Sequence, residues 1–135
     1  MTRQRIESFL RTLGLSFDEL DADTWIINDE ERGVENVIVV HEEPVIIFRL
    51  KVADLPPGDH CALYEELLRL NGTDLLHGAY ALEGDDLGGA SVVLMNTLLS
   101  ETIDIEEFQA TLDAISLSVA EHYERLVPLV KTEGG

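Results

Sequence analysis

Cysteine, basic residues, long apolar runs and ligand-like spacings are all scarce in this chain, and each scarcity removes a class of protein. The one cysteine, Cys61, permits no internal disulfide and fits a reducing compartment, so a cytoplasmic protein is expected. Nine Lys and Arg stand against 27 Asp and Glu, a net charge of −18. That field repels phosphate backbones and anionic headgroups, so neither nucleic acid nor a membrane is an expected partner. Apolar runs such as Val37–Val40 are short, against the ~20 residues a membrane-spanning helix needs. The opening MTRQRIESFLRTLG has periodic rather than continuous apolar positions and no small-residue cleavage site, so no signal peptide is expected.

Chemistry-bearing patterns are scarce too. His41, His60, His77 and His122 have no spacing that sets two ligands on one face, and no metal or other cofactor is expected. His60 and Cys61 are adjacent, so on a helix their side chains diverge by ~100°. Asp21 and Asp23 have the spacing of a two-aspartate phosphatase signature, but no parallel βα pattern surrounds them. The clusters Asp29-Glu30-Glu31 and Glu83, Asp85, Asp86 lack the alternating calcium-loop pattern and read as solvated turns. Cys61 lies on an apolar arc beside Asp59, and both burial and a neighbouring carboxylate disfavour a reactive thiolate. With no phosphate loop and no nucleophile elbow, the expected protein is not an enzyme and has no catalytic residues.

What is present is a regular alternation of elements. At 135 residues the chain makes one domain with a sizeable core. Ile6, Phe9, Leu10 and Leu13 mark one face of a first helix, closed by Gly14. Residues 15–22 read as a connector, with Leu15, Phe17 and Leu20 free to cover a core edge. Three strands follow, starting at Trp25, Val34 and Val45, and short turns between them imply an antiparallel meander. Pro56-Pro57-Gly58 delivers Asp59 as the N-cap of a second helix that Asn71-Gly72 should stop. Two more strands, roughly 77–83 and 90–98, flank an acidic turn. Asp104 and Glu107 resemble a capping box, and Ile103 and Phe108 a hydrophobic staple, at the start of a last helix. Pro128 should end it, leaving 128–135 as a frayed tail. The expected fold is a two-layer α+β domain over residues 1–135, in the order α-β-β-β-α-β-β-α with an antiparallel sheet.

The second helix is apolar over roughly half its circumference, where about 100° suffices to cover one core. Cys61, Leu63, Tyr64, Leu67, Leu68 and Leu70 share that side; Ala62, Glu65, Glu66 and Arg69 take the other. Such width implies two covered surfaces, so an interface with a second copy or a client is expected around Leu63, Leu70, Leu67 and Tyr64. Within that arc Tyr64, Leu67 and Leu68 are expected against the sheet, and Leu63 and Leu70 against the partner.

The text LYEELLRLNGTDLLHGAYALEGDD, followed by VVLMNTL and IDIEEFQATLDAI, resembles the YbjN family and the wider type III secretion chaperone-like fold of the CesT/Tir-chaperone group. The resemblance covers essentially the whole chain. It implies a small, acidic homodimer without catalytic residues, and the secretion chaperones of that fold bind an extended effector segment along the dimer. A non-catalytic chaperone or adaptor holding a segment of a client protein is therefore expected; the alternative is a small-ligand or stress-sensing regulator.

Overall fold

The computed structural model describes residues 2–73, 78–84 and 89–132. Helix α1 (Thr2–Thr12) leads into strands β1 (Phe17–Asp21) and β2 (Thr24–Asp29), then a 3-10 turn (Glu30–Arg32) and strands β3 (Val34–Glu42) and β4 (Val45–Leu55). Helix α2 (Cys61–Thr73), strands β5 (Ala79–Gly84) and β6 (Ala90–Leu99) and helix α3 (Ile105–Thr132) complete the chain. The six strands form one sheet in the order β1-β2-β3-β4-β6-β5, with every pairing antiparallel. This is the expected two-layer α+β architecture with one strand more than the sequence suggested.

That extra strand is β1, which forms where the sequence reads as a connector. Phe17 pairs with Ile27 and Glu19 with Trp25, and Asp21 Oδ1 accepts the Asp23 N–H at 2.9 Å to tighten the turn into β2. Asp and Glu are poor strand formers by propensity. On an edge they serve another purpose, because charge discourages a further strand from pairing there. Leu15 is buried and Phe17 packs on the core, as expected of core-edge residues, whereas Leu20 is exposed.

All three helices bury their apolar stripes in a single core. Ile6 and Leu10 of α1, Leu63 and Leu70 of α2, and Phe108, Leu112 and Ile115 of α3 meet Trp25, Ile27, Val37, Val39, Ile46, Phe48 and Leu94 of the sheet. Phe108 is the hub, with ring centroids 5.6 Å from Phe9 and 5.4 Å from Phe48. Helix α1 closes as Gly14 turns into the left-handed region (φ 69°) and the Leu15 N–H reaches back to the Leu10 carbonyl. The Asp104 cap is in place: its Oδ1 accepts the Glu107 N–H at 2.8 Å and its carbonyl accepts the Phe108 N–H.

Two helix ends differ from expectation. Helix α2 continues through Asn71 and Gly72 to Thr73, whose hydroxyl donates to the Arg69 carbonyl at 2.8 Å. Helix α3 runs through Pro128 to Thr132 instead of fraying at 128. A proline forfeits one hydrogen bond, and here Leu126, Leu129 and Val130 packed on the core offset that loss. The expected tail beyond 132, His77, and Asp85 and Asp86 of the acidic turn lie outside the described residues.

Candidate protein-binding site

Leu63, Leu67 and Leu70 are spaced four and three apart, so they form one stripe along α2. His60, one turn earlier, extends it. All four are buried, with Leu63 at 0% and Leu70 at 1% exposure. The division of the helix expected from sequence is therefore corrected: Leu63 and Leu70 belong to the core, and Leu68, expected against the sheet, stands 71% exposed. Tyr64 is half-buried beside the stripe. Cys61, expected on the buried arc, is exposed, and its thiol and backbone N–H both donate to the Asp59 carboxylate. Those bonds hold the Asp59 carboxyl below its ordinary range.

Beside α2 the sheet ends at β5, and an apolar cleft of about 400 Å³ lies between them. Tyr64, Leu67 and Leu68 form its helix wall; Tyr80, Ala81 and Leu82 form its strand wall. Leu82 is 49% exposed, so two large aliphatic side chains, Leu68 and Leu82, rise from either rim. Asn71 spans the floor. Its Oδ1 accepts the Tyr80 N–H at 2.7 Å and its Nδ2 donates to the Tyr80 carbonyl at 3.2 Å. One side-chain amide thus stands in for a neighbouring strand at one residue of the edge and fixes the spacing between helix and strand.

Tyr80 is anchored from below as well. Burial pushes its hydroxyl up to about 12, so it keeps its proton, and it shares a hydrogen bond of 2.7 Å with His122 Nδ1 of α3. Arg125 of α3 pairs with Glu66 of α2 at 2.7 Å on the outer surface. The cleft is therefore backed by α3 through a buried polar contact and an exposed ion pair. The Asn71 and His122 contacts carried no sequence signal, because each joins elements that only the fold brings together.

The remaining candidates have structural roles. His60 Nε2 donates to the Pro56 carbonyl at 2.6 Å. His41 lies between Glu43 (2.7 Å) and Asp23 (3.3 Å), and Ser100 Oγ donates to Glu43 at 2.9 Å. Asp29, expected in a solvated acidic turn, is buried and accepts the Ser16 N–H at 3.1 Å. Among the described residues no group of three or more His, Cys, Asp or Glu side chains is placed to hold a metal ion, and no helix is long and apolar enough to cross a membrane.

Comparison with solved structures places this arrangement in a known fold. YbjN from E. coli superposes with a TM-score of 0.70 at 20% identity, covering 89% of each chain. A chain of the heterodimeric ExoU–SpcU complex from the type III secretion system of Pseudomonas aeruginosa gives 0.64 at 21% identity, over 93% of this chain and 98% of that one. The Yersinia pestis type III secretion chaperone SycH, solved with a fragment of YscM2, gives 0.50 at 14% identity, over 93% and 99%. No curated protein matches the chain significantly. The family model CesT_Tir_1 matches residues 1–132. With its helices on one side of an antiparallel sheet and an apolar cleft at the sheet's edge, the chain belongs to the CesT_Tir_1 family and has the type III secretion chaperone-like fold.

Proposed function

We propose that this protein is a non-catalytic binding module of the cytoplasm, a homodimeric chaperone or adaptor that holds a segment of a client protein. The observation carrying this reading is the cleft between α2 and β5, where Leu68 and Leu82 are held open to solvent beside a sheet edge. Contiguous exposed aliphatic side chains flanking a groove are the features that strand addition and helix docking use. Tyr64 and Leu67 remain in the proposed surface, joined by Leu68 and Leu82; Leu63 and Leu70 support it from the core. A symmetric dimer would make such a patch meet its own copy. Relatives solved with protein partners, ExoU–SpcU and SycH with YscM2, support protein binding as the mode of action. The net charge of −18 keeps an adhesive molecule soluble and favours basic clients.

Light scattering tests the reading. The wild type is expected to be a dimer at micromolar concentration, and Leu68→Glu/Leu82→Glu a folded monomer, since both positions are exposed in one chain. A folded wild-type monomer would refute the dimer. A double variant that stays dimeric would remove the cleft from the interface.

A further inference from the structure

The His60 imidazole has a second side. It is 3% exposed, and with its Nε2 proton donated to the Pro56 carbonyl the neutral ring offers Nδ1 only as an acceptor. Nδ1 is shut off from water and meets no donor among the described residues. A buried acceptor without a partner forfeits a hydrogen bond that it had in water, which makes it an exception that calls for a reason. The same imidazole lines a cavity of about 330 Å³ at the start of α2, walled by Leu55, Pro56, Pro57, Tyr64 and Ala90. Tyr64 is also a wall of the apolar cleft between α2 and β5, so the two cavities adjoin across one side chain. The Tyr64 ring is half-buried, 6.2 Å from that of His60, and its hydroxyl has no hydrogen-bond partner among the described residues. His60, Tyr64, Leu67 and Asn71 follow at intervals of one helical turn, so the cavities succeed each other along one side of α2 and make a track about 16 Å long.

We infer that this track binds a single-chain amphiphile whose head is an uncharged hydroxyl. The head donates its O–H to His60 Nδ1 and accepts from the Tyr64 hydroxyl, once the Tyr64 ring turns aside to join the two cavities. The aliphatic chain lies in the cleft between Leu67, Leu68 and Leu82. Each end selects its part of the ligand. The cleft has aliphatic and aromatic walls that reward every methylene they cover. Asp59 precedes His60 and the whole chain carries −18, so a carboxylate head is repelled. An ammonium head has no lone pair to accept from Tyr64. The inference goes beyond the protein-binding reading, because a small molecule in the cleft would compete with any polypeptide held there.

The probes are decanol, its methyl ether, octanol and decanoate, titrated into the wild-type protein. Binding is read from methyl resonances of leucine-labelled protein and from the ring nitrogens of labelled histidine. Decanol is expected to shift Leu67, Leu68 and Leu82 saturably and to move His60 Nδ1 in the direction of an accepted hydrogen bond. Octanol, shorter by a pair of methylenes, should bind about tenfold more weakly. The ether, which cannot donate, and decanoate, which is repelled, should each lose about tenfold or more. His60→Phe should bind decanol and its ether alike, and Leu68→Gln/Leu82→Gln should weaken decanol about tenfold. An ether or a decanoate that binds as tightly as decanol, or a His60 nitrogen that does not move, would overturn the inference. So would decanol shifts scattered over the surface without saturation. A wild-type dimer that none of the probes enters would overturn this inference while sparing the function proposed above; a monomer that binds decanol at these leucines would uphold it and refute the dimer. The alcohol–ether comparison and the nitrogen spectra use the wild type, so the outcome stands even if His60→Phe does not fold.

Discussion

Replacing Asn71 by alanine removes the amide that bridges α2 to the sheet edge. Two hydrogen bonds are lost together, to the N–H and the carbonyl of Tyr80. Each contributes about 0.5–1.5 kcal/mol net, so their joint loss costs about 1–3 kcal/mol. Alanine is the better helix former by roughly half a kcal/mol, which offsets part of that loss. The expected destabilisation is therefore about 0.5–2.5 kcal/mol in urea melts. Stability alone does not identify the cause, so hydrogen exchange supplies the second reading: the Tyr80 amide should lose protection while the Leu94 amide of β6 keeps it. Asn71→Asp gives a finer test, since its carboxylate still accepts from Tyr80 N–H but faces the Tyr80 carbonyl with no donor. It should retain amide protection and still lose stability. Wild-type stability and wild-type Tyr80 protection in Asn71→Ala would refute the view that this side chain stands in for a strand.

Asp104→Ala should cost about 0.5–2 kcal/mol, because it leaves the Glu107 amide uncapped at the start of a 28-residue helix; melts unchanged within error would locate the helix start elsewhere. Gly78 adopts φ 79°, and an added Cβ would sit 2.4 Å from the Met95 carbonyl oxygen, so Gly78→Ala should lower the thermal midpoint markedly; an unchanged midpoint would contradict that geometry. Hydrogen bonds from His41 and then Ser100 hold the Glu43 carboxyl below its ordinary 4.5. Its contribution is complete above that value and is lost as the pH falls through the lowered one. Glu43→Gln should therefore flatten the acid limb of the stability profile, and an identical limb would remove Glu43 from acid unfolding.

The elements that were legible in the sequence are those whose local signals agree with their tertiary role. The Asp104 start of α3, the Gly14 end of α1 and the β3–β4 hairpin all stand where capping, glycine chemistry and apolar runs placed them. Strand β1 was illegible because Phe17–Asp21 forms on the template of β2 and against the propensity of its own acidic residues. The orientation of α2 was illegible for the opposite reason. With leucine at 63, 67, 68 and 70, several rotations of the helix bury comparable area. The 60-63-67-70 spacing identifies the face that won. The Pro128 stop failed because a local penalty was outweighed by burial of the residues around it. The helix wall of the cleft was legible in part, since Tyr64 and Leu67 stood in the expected interface; its strand wall of Tyr80, Ala81 and Leu82 was not, because that strand meets the helix only in the folded chain.

The strand order has a consequence for how the molecule assembles. Strands β1 to β4 pair with their immediate neighbours in sequence, so that meander can form from short-range encounters. The hairpin of β5 and β6 is joined to it by a single seam, β4 against β6, whose two sides are separated by all of α2 and β5. Closing that seam pays the entropy of a long loop before any of its ladder is formed. The sheet thus joins a local meander to a hairpin across one long-range seam, and the edge strand that carries Leu82 and Tyr80 belongs to the sheet only through that seam.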